Sequence, residues 1–516
     1  MKKGIISAGH PQTARAGAII LEAGGNAFDA AIAAFLASFV CEPTYVSAGG
    51  GGFMLAHTQA GKTTLFDFFA QTPLNKRPVS ELDFKKVTLH FGGNTQDFHI
   101  GLAAVATPGN IAGAFHIHRK LGSLPFKVIA EPAIELAKTG VPITPFQRYT
   151  MNLLQPIMTA SAQGRAIFTT PPNGSLKPAG SPLFIEHLHD ALYSLAHEGE
   201  RLFYEGEMGK QIAADCAARG GYLTLDDLRS YRVIERQPLQ TTYRDMALFT
   251  NPPPSSGGAL IAFALLLMNK FDLYKSLPIG TTDYMHFFAD VFYLTNLARK
   301  HLFDAHIYEP DVLQNLLSPD ALNQYAEPIS SRLGNTTHLS VADAKGNTAG
   351  LTHSSGAGSN YYVPQTGIML NNMLGEADLN PHGFHRWHKN RRLSSMMSPT
   401  LLLHKQTGNQ TMLGSSGSSR IRSALVQVIS HLTDRGMPLA DAINYPRLHL
   451  ENTLLNIEHG FNADTAQQLT LPKGWQKSVW QQTNMYFGGV NAVSTLANAG
   501  FAAAADERRS GVVISV

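Results

Sequence analysis

Hydrophobic spacing near the start of the chain predicts two helices. Gln12 to Ala23 carries one apolar face and closes at Gly24-Gly25, whereas Phe28 to Val40 is apolar almost all round. A helix without a polar face belongs inside a core. The run Ala27 to Cys41 contains Asp29 and is too short to cross a bilayer. Beyond it the period changes: Gly49-Gly50-Gly51-Gly52 leads into Phe53 to Thr58 and, across Gln59-Ala60-Gly61-Lys62, into Thr63 to Phe68, a predicted hairpin.

From Pro108 to His301 the spacing is mainly helical, over Ile111 to Leu121, Phe126 to Thr139, Leu183 to Glu198, Gly209 to Arg219, Gly258 to Met268 and Asp283 to His301. After Thr336 it turns to strands. Thr337, Leu339 and Val341 alternate with His338 and Ser340, Lys345-Gly346-Asn347 supplies a turn, and Thr348 to His353 returns. Further strands are predicted over Pro399 to His404, Gln410 to Leu413, Leu454 to Glu458 and Gly511 to Val516, with a helix from Ser418 to Thr433. Two sheet-forming halves with apolar helices against them imply stacked layers, sheets inside and helices outside.

Composition narrows the function. The chain has 516 residues, 44% hydrophobic and 15% charged, with a formal net charge of +3, which argues against a nucleic-acid or membrane partner and for a small molecule. Its two cysteines, Cys41 and Cys216, sit in apolar helical stretches and form neither a disulfide framework nor a metal motif. No cofactor or metal is expected. Lys2 and Lys3 run directly into Gly4-Ile5-Ile6 without a secretory apolar core, so a cytoplasmic location is expected. Ala60-Gly61-Lys62-Thr63 resembles the end of a phosphate loop, but Ala56 stands where its first glycine belongs. His116 with His118, and His187 with His189, are spaced by two on predicted helices and so diverge.

The candidate chemistry lies at Asn335-Thr336-Thr337. A polar segment from Ala326 to Asn335 precedes it, suited to cleavage, and a cut between Asn335 and Thr336 would give one residue both a nucleophile and a base. A threonine pair is equally what a half-buried strand carries at its start. Ordered motifs along the chain tip the balance: GGNAFDAAIAA at 24 to 34, GGGGFML at 49 to 55, VATPGNIAGAFHIHRKLGSLPF at 105 to 126, YLTLDDLRSYRVIERQPL at 222 to 239, NPPPSSGG at 251 to 258, NTTHLSVAD at 335 to 343, LSSMMSPT at 393 to 400 and GSSGSSRI at 414 to 421.

In that order these segments resemble the γ-glutamyltranspeptidase family of N-terminal-nucleophile hydrolases. The resemblance implies an α/β fold built as a four-layer αββα sandwich. It also implies a proenzyme split into a large subunit, 1–335, and a small one, 336–516, which stay together as a heterodimer. Thr336 is then the nucleophile, Ser354 the hydroxyl beside it, and the amides of Gly417 and Ser418 the oxyanion hole at a helix N-terminus. The implied activity is transfer of a γ-glutamyl group, as from glutathione, to water or an amine.

Substrate positions depart from the family. Phe69 stands where an arginine grips the substrate carboxylate, and the motif that holds the ammonium reads Asn371-Asn372-Met373-Leu374-Gly375-Glu376, with Met373 in place of glutamine. Asn372, Glu376, Ser394 and Ser395 remain in register as substrate-binding candidates. Arg391 or Arg392, in the basic stretch His382 to Arg392, is expected to compensate for the missing arginine. The alternatives are an acylase for glutaryl or other amides with the same mechanism, and an unprocessed fold relative without catalysis.

Overall fold

The computed structural model describes residues 2–91, 94–271, 276–324, 336–380, 382–497 and 500–516. The segment expected to carry the cut, Ala326 to Asn335, lies outside the described residues.

Two antiparallel sheets form the centre. The first has seven strands, in the order Ile234–Arg236, Thr63–Phe68, Gly51–His57, Thr348–Ser354, Thr337–Asp343, Gly4–Ala8 and Val512–Ser515. The second has six: Leu239–Tyr243, Met246–Thr250, Thr400–His404, Gln410–Ser416, Gly489–Leu496 and Gly500–Ala505. Each sheet mixes strands from before and after Thr336, which corrects the expectation of two sheet-forming halves. Hydrogen bonding across the chain, rather than sequence order, decides which strands share a sheet.

The sheets face each other closely around the Thr337–Asp343 hairpin. A Cβ on Gly414 would stand 2.3 Å from the His338 ring, and one on Gly350 would meet Met412 Sδ at 2.7 Å. Glycine is what lets the two backbones approach there. Pro11–Glu22 and Ala27–Cys41 cover the outer side of the first sheet, while Ser256–Asn269 and Arg420–Asp434 stack on the second, with Thr282–Ala298 packed against Ser256–Asn269. The layers are therefore helix, sheet, sheet and helix. Every residue of Ala27–Cys41 is buried, as its apolar circumference predicts. Its one charge, Asp29, accepts the backbone N–H groups of Asn26 and Ser123, each at 3.0 Å. That pairing removes most of the cost of burying a carboxylate.

Several elements escape the spacing argument. Leu239–Tyr243 and Met246–Thr250 form a hairpin inside the stretch read as mainly helical. Gly4–Ala8 is a central strand buried at every position, so it shows no apolar alternation to detect. The helix expected to start at Ser418 begins at Arg420, and that expected at Leu183 begins at Leu188. The helix expected to end at His301 stops at Ala298 and loosens into a π-turn over Arg299–Phe303.

Candidate active site

Thr336 stands one residue before the central strand Thr337–Asp343 and is 5% exposed. Thr337 pairs with His353, so the next step along the ladder puts Thr336 beside Ser354. Both residues line a cavity of about 450 Å³. Ser354 Oγ accepts the Gly356 N–H at 2.8 Å.

Among the described residues, no histidine lines the cavity. Burial lowers His338 and His353 to about 3, so both rings are neutral at pH 7. His338 is engaged by Thr352 Oγ1 at 2.7 Å and Ser340 Oγ at 2.9 Å, and His353 meets Ser38 Oγ at 3.2 Å. Neither lines the cavity. A carboxylate missed by the sequence reading lies close to Thr336: Thr337 Oγ1 donates to Glu42 Oε2 at 2.7 Å, and Thr13 Oγ1 donates to Oε1 at 2.9 Å. Burial pushes the Glu42 carboxyl above the usual range, against those two hydrogen bonds. Cys41-Glu42-Pro43 reads in sequence only as the end of an apolar helix, so nothing local marks this contact.

The glycine-serine turn leaves strand Gln410–Ser416 and reaches helix Arg420–Asp434 through Gly417 at φ 113° and Ser418 at φ 53°. The turn leads directly into the N-terminus of helix Arg420–Asp434, where backbone N–H groups favour negative charge. Among the described residues, no acceptor engages either amide. Ser418 is the costly member, since a side chain at positive φ is strained. Its Oγ donates to Asp378 Oδ2 at 2.8 Å, which anchors the turn. Ser418 and Asp378 both line the cavity.

The walls divide by polarity. Phe69, 1% exposed and stacked on Phe53 with ring centroids 5.4 Å apart, joins Met373, Met396 and Met397 as apolar lining. Ser394 and Ser395 line the same space; Ser394 Oγ meets Ser256 Oγ at 3.5 Å and Ser395 Oγ accepts the Met397 N–H at 3.1 Å. Glu376 also faces it, with Oε1 accepting the Ala357 N–H at 2.9 Å. Burial, helped by the Asp378 charge, pushes the Glu376 carboxyl up to about 8, so it is mainly protonated at pH 7. Burial raises Asp378 too, while the Ser418 hydrogen bond pulls it back.

Two expectations need correction. Asn372 does not line the cavity: Oδ1 accepts the Ala357 N–H at 2.8 Å and Nδ2 donates to His99 O at 3.2 Å, so backbone claims both ends. Arg391 and Arg392 do not reach the cavity either. Arg392 is buried, donating to Phe69 O, to Tyr231 Oη at 2.7 Å and to Arg232 O at 2.6 Å, and pairing with Asp67 at 3.3 Å. Arg391 lies over the Tyr308 ring, 5.7 Å from its centroid. The cations that do line the cavity are Arg299 and Lys300, in the π-turn. In sequence they resemble an ordinary basic helix end.

Comparison with known proteins places the chain in a family. The gamma-glutamyltranspeptidase family model matches residues 13–516. The chain is 28% identical to the glutathione hydrolase proenzyme of Escherichia coli (strain K12), across 91% of this chain and 85% of the relative. It is 29% identical to the acylase ACY 1 proenzyme of Pseudomonas sp. (strain V22), across 100% and 94%. Among solved structures, cephalosporin acylase from Bacillus halodurans superposes with a TM-score of 0.85 at 25% identity, covering 99% of this chain and 96% of that one. Helicobacter pylori gamma-glutamyltranspeptidase gives a TM-score of 0.54 at 26% identity over 61% of this chain and 90% of that chain.

Proposed function

We propose, from the premise that this chain belongs to the γ-glutamyltranspeptidase family of N-terminal-nucleophile hydrolases, that it is a proenzyme cut before Thr336 and that the freed threonine hydrolyses amides of acyl groups other than γ-glutamyl. The two fragments, 1–335 and 336–516, stay joined because both sheets contain strands of each.

In the proposed mechanism Thr336 Oγ1 attacks the amide carbon while its proton passes to the α-amino group, whose ordinary pKa near 8 suits it as a base at about neutral pH. The carbonyl oxygen becomes an oxyanion facing the amides of Gly417 and Ser418. Collapse expels the amine, which takes the proton, and leaves an acyl-Thr336 ester. Water then attacks the ester and regenerates the hydroxyl.

The observation that carries the substrate assignment is the placement of Phe69. It lines the cavity, stacked and buried, where the family resemblance expects an arginine for the γ-glutamyl carboxylate. Met373 adds a second apolar surface. Glu376 favours the other reading, γ-glutamyl transfer, because it keeps a carboxyl group in the cavity. With no cation beside it, burial and the Asp378 charge hold that carboxyl up at about 8; a bound ammonium would draw it back down, so the substrate assignment rests on Phe69 and Met373. A panel of γ-glutamyl, glutaryl and plain acyl anilides, run with wild type and Thr336→Ala, tests the assignment. The expected result is Thr336-dependent turnover with the γ-glutamyl anilide the poorest substrate. Preference for γ-glutamyl overturns it.

A further inference from the structure

Arg299 and Lys300 are the cations that line the cavity among the described residues. Helix Thr282–Ala298 gives way at this point to the π-turn Arg299–Phe303, and both residues line the space that holds Thr336. Such turns shift side chains off the regular helix faces and recur at functional sites. Arg299 Nε donates to Asp304 Oδ1 at 3.0 Å, but among the described residues no acceptor meets either Nη nitrogen. Lys300 is exposed and forms no ion pair or side-chain hydrogen bond with a described residue. A guanidinium with its fork free is a natural partner for a carboxylate.

The rest of the lining sharpens the contrast. Ser418 Oγ is taken by Asp378, Ser419 Oγ by Glu451 and one Glu376 oxygen by the Ala357 amide. Phe69, Met373, Met396 and Met397 contribute no positive charge. Arg392, the cation nearest in sequence to the serine pair, is committed to Asp67 and to backbone carbonyls. A carboxylate entering this cavity has only the π-turn to pair with among the described residues.

We propose that Arg299 and Lys300 form a subsite for a carboxylate carried by the amide substrate, an inference that rests on Thr336 being the nucleophile of an amidase. The chemistry is the same whether the carboxylate belongs to the acyl group or to the leaving amine. Three amides separate these cases: glutaryl anilide with an anionic acyl group, valeryl p-aminobenzoate amide with an anionic amine, and neutral valeryl anilide.

Wild type is compared with Arg299→Gln, Lys300→Gln and the double variant, after thermal melting shows that the folds are intact. One of the two anionic substrates should exceed the neutral one by about tenfold or more in kcat/KM, mainly through KM, and the double variant should lose that advantage. In a protein that turns over these amides, an advantage that survives in the double variant, or none in wild type, overturns the subsite. Calorimetric titration of the same proteins with glutarate and with p-aminobenzoate gives a readout that needs no turnover. Binding lost in the double variant, in a protein that hydrolyses no amide, refutes the Thr336 reading and leaves the subsite standing. Absence of binding to wild type overturns the subsite.

Discussion

Ser418 sits at φ 53°, with Oγ held by Asp378 at 2.8 Å, in the turn proposed to receive the oxyanion. Removing that bond while keeping the side chain, as in Ser418→Ala, leaves the strain without its anchor. A hydroxyl-to-carboxylate hydrogen bond nets about 1.5–3 kcal/mol, and the lower end applies because Asp378 is only half-buried. About 1.5 kcal/mol corresponds to roughly a tenfold loss in kcat if the bond is what holds the turn. Ser418→Gly removes strain and anchor together and should stay near wild type. Asp378→Asn should therefore cost about tenfold in the Ser418 protein and almost nothing in Ser418→Gly. The assay is initial-rate hydrolysis of the best anilide, with amide hydrogen exchange across residues 413–424 as a measure of turn stability. Equal cost of Asp378→Asn in both backgrounds, with unchanged exchange, would refute the anchoring argument.

Glu376 and Arg392 yield further expectations. Because burial raises the folded-state pKa of Glu376 to about 8, its contribution to stability is complete below the ordinary carboxyl range and is lost as pH rises through about 8. The melting temperature of the Thr336→Ala protein should fall from about pH 5 to about pH 9, and Glu376→Gln should flatten that slope; an unchanged slope contradicts the assignment. Arg392→Met should destabilise by about 3 kcal/mol in urea unfolding, the low end for a broken buried pair, since Arg236 still reaches Asp67 at 2.8 Å. Arg391→Ala should change stability by less than about 0.5 kcal/mol, and a large loss there would contradict its surface placement.

Periodicity and local chemistry made some of this molecule readable in advance. Phe126–Thr139 has the bounds its spacing predicts, and the strand after Thr336 turns and returns over Thr348–Ser354 as a hairpin, as expected. Gly4–Ala8 stayed hidden because a strand buried on both faces has no alternation. Arg392 was expected to compensate for the missing arginine, because nothing in its basic stretch announces Asp67, which reaches it from a distant strand. Arg299 and Lys300 were illegible for a related reason. A π-turn, which no hydrophobic spacing announces, aims them into the cavity. Motif order pointed to Thr336, Ser354 and the Gly417-Ser418 turn, and the fold brings Thr336, Ser354 and Ser418 to one cavity, without Gly417 in its lining. Which cations line the cavity depends on how distant elements meet.

Intact-mass analysis and N-terminal sequencing of the purified protein, beside Thr336→Ala, test the central claim most directly. The account predicts two fragments in wild type, the smaller beginning at Thr336, and a single inactive chain in the variant. A wild-type chain that hydrolyses amides while uncut, or a cut that leaves Thr336 away from an N-terminus, would contradict it.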